Sequence, residues 1–454
     1  MATPIPYTLV RTLARGLLGL FHQRIDVVGA ERIPSAGPLI VAANHHNSLV
    51  DAMLLLAVVP RRLRTLANAP LFRHPLIGPF LRLLGALPVH RRQEAGDDPA
   101  RNAALFAATT ETLHTGGAIL VFPEGRTQPE PVLLALRTGA ARMLLAAEGG
   151  QGPDSTTLLP VGLVFHEPGT FRTGRALVLV GTPVPTADAR ALAAGGAPEE
   201  AARLLTERLT EALRALIVEA DDRETLRLLG LVEELWQQET GERPEDAAAR
   251  VAWLQRVMRA YRLVVEREPA GVAAFRQALE GFAGDIEQAG IAARQLSREY
   301  SPGTIARFAF REGFSLLLGA PLALWGIAAH VVPYQLTTVA VRLLDRTAEE
   351  EATDKIAAGL ILYPLAWAAE AWCVLRLGGG WALAVFMVAL FPTGFFALAW
   401  RERFDRVRQE ARALVRFLGD RGLPQRLRER RRELARELRA LARSAPELGW
   451  GVDE

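Results

Sequence analysis

The stretch LIVAANHHNSLVD, residues 39–51, decides the fold expected for this chain. Its first five residues are apolar and follow a Gly-Pro pair, which predicts a short strand buried within a sheet. Two histidines and an aspartate then stand at the carboxyl end of that strand, ahead of an apolar run from Ala52 that predicts a helix. A histidine beside a carboxylate is the pairing that a general base requires, because the carboxylate fixes the tautomer and supports the imidazolium.

A second interpretation of the same residues is purely structural. Ser48 to Asp51 also fits a capping box, in which Ser48 begins the helix and Asp51 bonds backbone amides. The motif alone leaves both interpretations open.

A second polar cluster follows another apolar run farther along the chain. FPEGRT, residues 122–127, comes after AILV, residues 118–121. Further strands are predicted at 25–28, 158–165 and 176–180, with a covering helix over 131–148. Alternating strands and helices predict an α/β domain with a mostly parallel sheet, in which loops at the carboxyl ends of the strands form one cleft.

Together the two clusters resemble motifs of the glycerolipid acyltransferase superfamily, which includes glycerol-3-phosphate and 1-acylglycerol-3-phosphate acyltransferases. The family's first motif is a His and an Asp separated by four or five residues, and Asn44 to Asp51 is similar to the branch reading Asn-His-x-Asn-Ser-x-x-Asp. That match implies His45 as the base and Asp51 as its partner. His46 gives the four-residue spacing found in most of the superfamily, so the base is either His45 or His46.

The resemblance also implies a set of substrate-binding residues. GALPVHRR, residues 85–92, resembles the second block and implies that Arg91 binds the acceptor's phosphate; FPEG, residues 122–125, resembles the third and implies that Glu124 and Gly125 hold the acceptor. Arg126 is also predicted to bind the substrate, although it stands one position earlier than the arginine of many family members. Asn44 is predicted to bind the substrate as well. Arginine suits the phosphate role because its planar donor fork matches phosphate oxygens and stays charged.

Composition and hydropathy predict further regions in addition to the α/β domain. The chain has 454 residues, which are too many for one compact core, and 50% of them are hydrophobic. The predicted regions are an amphipathic helix that lies on a bilayer or packs on the core (1–23), the acyltransferase domain (24–185), a helical region (186–312), a membrane region (313–400) and a charged helical tail (401–454).

The membrane region contains apolar runs at 313–334, 357–377 and 381–400, each near the roughly 20 residues that cross a bilayer. Gly378 to Gly380 predicts a hairpin between the last two runs. Three crossings would separate the catalytic domain from the arginine-rich tail, whereas positive-inside bias favours both in the cytoplasm. Both could lie in the cytoplasm if the run at 313–334 enters and leaves the membrane on the same face, so that only the last two runs cross it.

The expected function is therefore a membrane-bound O-acyltransferase of phospholipid biosynthesis, with its catalytic domain in the cytoplasm. It would move a fatty acyl chain from acyl-CoA or acyl carrier protein to glycerol 3-phosphate or its 1-acyl derivative. No cofactor, metal site or nucleic-acid partner is expected, and membrane lipids are the expected partners. Two alternatives stay open: an acyltransferase for another acceptor, such as a lysophospholipid, ornithine lipid or sugar, and a non-catalytic lipid-binding membrane protein.

Overall fold

The structure is a computed structural model that describes residues 5–443 apart from 22–23, 48, 74–76, 90–98, 129, 149–155, 166–174, 221, 242–243, 292–294, 297–301, 345–347 and 421. The chain forms two compact units. The first unit comprises residues 1–223, 244–255 and 346–357, and the second comprises 224–243, 256–345 and 358–454.

A seven-stranded sheet forms the centre of the first unit, in the order β1-β7-β6-β2-β5-β3-β4. Its strands are β1 (Arg24–Val28), β2 (Leu39–Ala43), β3 (Leu63–Asn68), β4 (Leu87–Val89), β5 (Ala118–Val121), β6 (Thr157–Phe165) and β7 (Arg175–Val180). All neighbouring strands are parallel except β6 and β7, which confirms the predicted mostly parallel sheet. Strand β2 lies between β5 and β6 and is entirely buried, so its carboxyl end opens at the middle of the sheet edge.

Two strands of this sheet were not predicted from the sequence. Strand β3 reads LRTLAN, in which polar residues interrupt the apolar pattern, and β4 has only three residues. Their strand conformation comes from pairing, since Leu63 to Thr65 lie in parallel register with Ala118 to Leu120 of β5. Such pairing depends on residues far away in sequence, which local hydropathy does not reveal.

Thirteen helices lie in the described residues: α1 (Ile5–Phe21), α2 (Leu49–Val58), α3 (Ile77–Leu84), α4 (Pro99–His114), α5 (Gly139–Glu148), α6 (Ala187–Ala194), α7 (Pro198–Arg214), α8 (Arg223–Thr240), α9 (Ala247–Arg267), α10 (Pro269–Ala289), α11 (Pro302–Leu344), α12 (Ala348–Gly419) and α13 (Leu423–Arg443). Helix α1 packs on the core through Tyr7, Val10, Ala14 and Leu18, while its Leu9 is 68% exposed.

The helix predicted over 131–148 begins only at Gly139. The preceding segment is held extended by side-chain acceptors, because the Leu133 amide donates to the Glu219 carboxylate and the Leu134 amide donates to Glu124. Amides engaged in this way are removed from the first turns of a helix.

The residues of α12 form two helices that meet at Gly379, whose φ of 70° and ψ of −172° are not helical. The ring centroids of Trp367 and Phe391 lie 5.2 Å apart, whereas 24 residues of straight helix would separate them by about 36 Å. The chain therefore forms a hairpin here, as the three glycines at 378–380 predicted. Its arms are residues 348–378 and 380–419.

Candidate active site

His45 and Asp51 meet at the carboxyl end of β2. The Asp51 carboxylate is completely buried at the start of α2, and its Oδ2 lies 2.9 Å from Nδ1 of His45. The His45 side chain is 16% exposed and stacks on the Phe122 ring, with centroids 3.9 Å apart and planes 13° from parallel. This stacking holds the plane of the His45 ring against Phe122.

The same Asp51 oxygen also binds the backbone of the loop. Oδ2 accepts hydrogen bonds from the amides of His46 at 2.7 Å and Asn47 at 2.8 Å. Asp51 therefore makes both the backbone bonds of a cap and the contact with His45. The two amides hold its carboxylate where it meets the His45 ring. Ser48, the predicted cap, lies outside the described residues.

His46 has a different environment from His45. Its ring Nδ1 lies 3.1 Å from the Gln128 carbonyl oxygen, and the Gln128 amide in turn donates to the His45 carbonyl at 3.3 Å. His46 thus links the first loop to the loop after β5. Of the two histidine rings, only that of His45 bonds to Asp51 in the structure, which favours His45 over His46 as the base.

Glu124 connects the loop after β2 to the segment that precedes α5. Only 3% of the residue is exposed; Oε1 accepts from the His45 amide at 2.8 Å and Oε2 from the Leu134 amide at 3.0 Å. Burial raises the pKa of the Glu124 carboxyl, and these two backbone hydrogen bonds partly oppose that shift. Both carboxylate oxygens of Glu124 are thus engaged by backbone amides, and its predicted contact with the acceptor stays a prediction.

Asn44 likewise has a structural position. The residue is completely buried, its Nδ2 donates to the Leu163 carbonyl at 2.9 Å, and its Oδ1 accepts from the Leu163 amide at 2.7 Å. These bonds extend the pairing of β2 with β6 by one residue. Both polar atoms of the Asn44 side chain thus bond to the backbone of β6 and fix the end of β2.

The loop after β5 places cationic groups near Gly125. Gly125 has a φ of 70°, and a side chain there would meet Arg137, whose Nε would lie 2.8 Å from the added Cβ. Arg126 is exposed, and Arg91 lies outside the described residues. Phe122, Gln128 and Arg137 belong to this site although they were not among the predicted site residues. A lone Arg137 beside an apolar run gave no signal in sequence.

Replacing Glu124 by Gln is expected to change the pH dependence of stability. Because the folded pKa lies above the ordinary value of 4.5, the folded state holds the proton to higher pH than the unfolded state. The contribution of Glu124 to the stability of the wild-type protein therefore falls as pH rises from about 4.5 through the folded pKa. Gln does not titrate, so the melting temperature of wild type minus that of Glu124→Gln should decrease over that interval. Exposed Glu111→Gln is the control, and a constant difference would contradict the prediction.

The fold and the paired histidine and aspartate define an α/β domain of the acyltransferase class. Residues 24–164 match the family model described as Acyltransferase, so this part of the chain is an acyltransferase domain. Within the described residues, no group of three or more His, Cys, Asp or Glu side chains is placed to hold a metal ion.

Named relatives act on glycerol phosphates. The chain is 28% identical over 136 residues to glycerol-3-phosphate O-acyltransferase 2 of Saccharomyces cerevisiae, covering 30% of this chain and 18% of that protein. It is 25% identical to the 1-acyl-sn-glycerol-3-phosphate acyltransferase of Bacillus subtilis, covering 42% and 87%. The solved 1-acyl-sn-glycerophosphate acyltransferase PlsC of Thermotoga maritima aligns with a TM-score of 0.33 and 22% identity, covering 46% and 79%. The chain spans only 18% to 45% of its curated fungal and plant relatives.

Proposed function

We propose that the protein is a membrane-bound O-acyltransferase that moves a fatty acyl chain from the thioester of coenzyme A or acyl carrier protein to a hydroxyl of glycerol 3-phosphate or 1-acylglycerol 3-phosphate. The product would belong to phosphatidic acid synthesis. The single observation that carries this proposal is the 2.9 Å contact between His45 Nδ1 and the buried Asp51 carboxylate.

The pair supports a direct transfer between two bound substrates. With Nδ1–H donating to Asp51, Nε2 of His45 is the nitrogen that accepts the acceptor's hydroxyl proton. The hydroxyl oxygen then attacks the thioester carbonyl, so a C–O bond forms as the C–S bond breaks. The proton on His45 passes to the departing thiolate, which returns the imidazole to its neutral state. Throughout, the ionised Asp51 stabilises the imidazolium.

A phosphate-bearing acceptor is supported by the exposed guanidinium of Arg126 and by Arg137, which lies against Gly125. Both cations follow β5, whose carboxyl end adjoins the His45 loop through β2 pairing. A guanidinium binds phosphate as a planar double donor, and such charge-assisted bonds are the strong ones. The names of the yeast and Bacillus relatives support the same acceptor class.

Replacing Arg126 by Gln is expected to raise the KM for the phosphate acceptor roughly 10- to 150-fold, since a charge-assisted hydrogen bond contributes roughly 1.5–3 kcal/mol. The assay uses membranes containing the full chain, labelled acyl-CoA or acyl carrier protein, and glycerol 3-phosphate, 1-acylglycerol 3-phosphate or neutral monoacylglycerol. Exposed Arg82→Gln on α3 is the matched control. Equal use of monoacylglycerol by wild type would assign a phosphate-free acceptor, and inactivity with all pairs would refute acyl transfer to these acceptors.

Membrane attachment is supported by two helices that are long and apolar enough to cross a bilayer, over Ile305–Leu343 and Ala357–Gly419. Only 22% of each apolar window is buried within the protein. Large side chains such as Leu317 and Val388 are more than 70% exposed, which in water would leave an apolar surface uncovered. A lipid environment covers such side chains, so we place both helices in the membrane.

The contacts between these helices fix the direction of the second arm of α12 relative to α11. Residue numbers fall along the second arm of α12 as they rise along α11, through the pairs Glu312 with Arg403, Leu316 with Trp400, and Gly326 with Thr393. Helix α11 and this arm are therefore antiparallel. The start of α11 and the end of α12 then share one membrane side, and the hairpin bend at Gly379 lies toward the opposite side.

The charged tail supports the same arrangement. Nε of Arg428 on α13 donates to the Leu296 carbonyl at 2.7 Å, and Arg431 bonds to Gln238 of α8. Since these residues precede and follow the membrane region, the chain crosses an even number of times between them. The catalytic domain and the tail would then both lie in the cytoplasm, as the positive-inside bias favours.

Reporter fusions test this topology. Fusions ending at residues 301 and 454 are expected to report the cytoplasm, whereas a fusion at Gly380 is expected to report the exterior. Opposite readings at 301 and 454 would contradict an even number of crossings. A cytoplasmic reading at Arg346 would instead support a first segment that enters and leaves the same face.

A further inference from the structure

The second unit contains an apolar cavity of about 110 Å³, remote in sequence from the catalytic motifs. Helices α8, α9, α10 and α13 line it with sixteen residues. Its volume is of the same order as the roughly 150 Å³ apolar cavity that stays dry and binds a small hydrocarbon. This space is therefore large enough for a short length of aliphatic chain.

The cavity exists because small side chains face one another across the bundle. Four valines and two alanines contribute to its wall: Val232, Val257, Val264, Val272, Ala260 and Ala442. Core packing normally sets large residues against small ones, so that little space remains. An empty apolar cavity lowers stability in proportion to its volume, and water gains too few hydrogen bonds there to fill it. A bound apolar group would recover the lost contacts.

Arg276 lines the cavity and reaches the surface. Its side chain is 37% exposed, and its Nε donates to Glu280 at 2.9 Å, while it also bonds to the lining residue Tyr261. It is the single charged side chain among the lining residues. A guanidinium retains further N–H donors after one such bond and can bind an anionic head at the edge of an apolar site.

We propose that this cavity binds the unbranched alkyl tail of a short-chain fatty acid, with the carboxylate at Arg276. The lining chemistry selects the tail, because nearly every wall residue is aliphatic or aromatic. The small volume selects a short chain, and Arg276 selects an anionic head. The inference stands on the second unit alone and does not depend on acyl transfer at His45.

Photolabelling of the full chain in phosphatidylcholine nanodiscs tests the proposal. The probe is hexanoic acid with a diazirine near its methyl end, followed by peptide mapping. Peptides from α8 to α10 are expected to be labelled, and Ala260→Phe, which fills the cavity, should reduce that labelling at least fivefold. Ala252→Phe, at an exposed position on the same helix, is the matched control. Ala442→Phe fills the cavity from α13 and serves if Ala260→Phe does not fold.

Two further experiments identify the ligand. Arg276→Gln should weaken labelling by the acid severalfold without changing labelling by the corresponding alcohol. A phosphatidylcholine carrying the same diazirine should label α11 and α12 but leave the cavity peptides unlabelled. Labelling of the cavity by that lipid alone, or acid labelling that persists in both filled variants, would overturn the proposal. Asp51→Asn should label like wild type, so failure of the proposed function would leave this result unchanged.

Discussion

Acyl transfer is expected to fall by about 10²- to 10⁴-fold when His45 is replaced by Ala, the range that removal of a general base produces. The loss should appear in kcat at saturating acceptor and donor. The reason is geometric: His45 is the ring that bonds Asp51, at 2.9 Å, and it stacks on Phe122. Initial rates of acyl transfer in membranes, normalised to the amount of folded protein, provide the measurement.

His46 supplies the matched control, because it stands next in the chain and its ring bonds the Gln128 carbonyl instead. His46→Ala is expected to reduce the rate tenfold or less, by loosening the link between two loops, in line with roughly 1 kcal/mol for one hydrogen bond. His46→Asn, whose amide can donate near the Nδ1 position, should restore part of that loss. A greater loss of rate in His46→Ala than in His45→Ala would show that His46, and not His45, is the base.

Asp51→Asn is expected to lower kcat by about 10³- to 10⁴-fold, as loss of the carboxylate does in other paired-histidine sites. The amide keeps the size of the side chain but carries no charge to stabilise the imidazolium. Asp51 is completely buried and its Oδ2 holds His45 and two amides, so no neighbouring group substitutes for it within the described residues.

Two controls separate chemistry from folding in the Asp51→Asn experiment. Asp26→Asn, at a partly exposed ion pair on β1, should leave the rate within about twofold, as surface pairs contribute little. The double variant Asp51→Asn with His45→Ala should be no slower than His45→Ala alone, because residues that act as one unit are not additive. Additive losses would show that Asp51 acts independently of His45.

Strand prediction succeeded where apolar runs were unbroken. The runs at 39–43 and 118–121 match β2 and β5 residue for residue, since both are buried in the middle of the sheet. Strand β3 was missed because Arg64 and Asn68 disturb the pattern of a strand near the sheet edge. The helix predicted from residue 131 began at Gly139, because distant carboxylates engage the intervening amides.

The sequence predicted which residues form the candidate site more fully than it predicted the partners that each of them contacts. Motif spacing indicated the paired clusters at 44–51 and 122–127, yet it assigned Glu124 and Asn44 to substrate. The structure gives both side chains backbone partners, at separations of 79 residues for Glu124 with His45 and 119 for Asn44 with Leu163. No local pattern reports contacts at such separations.

By itself, the sequence determined that this chain has a mostly parallel α/β domain with ionisable residues at two strand ends, and a hairpin of apolar helices at residues 378–380. Those features follow from local hydropathy, glycine placement and motif spacing. Only the tertiary structure decided which histidine ring meets Asp51, which carboxylate braces the loop, and how α11 pairs with α12. Each of these depends on how separate segments pack, because side chains in one motif take their orientation from hydrogen bonds to another.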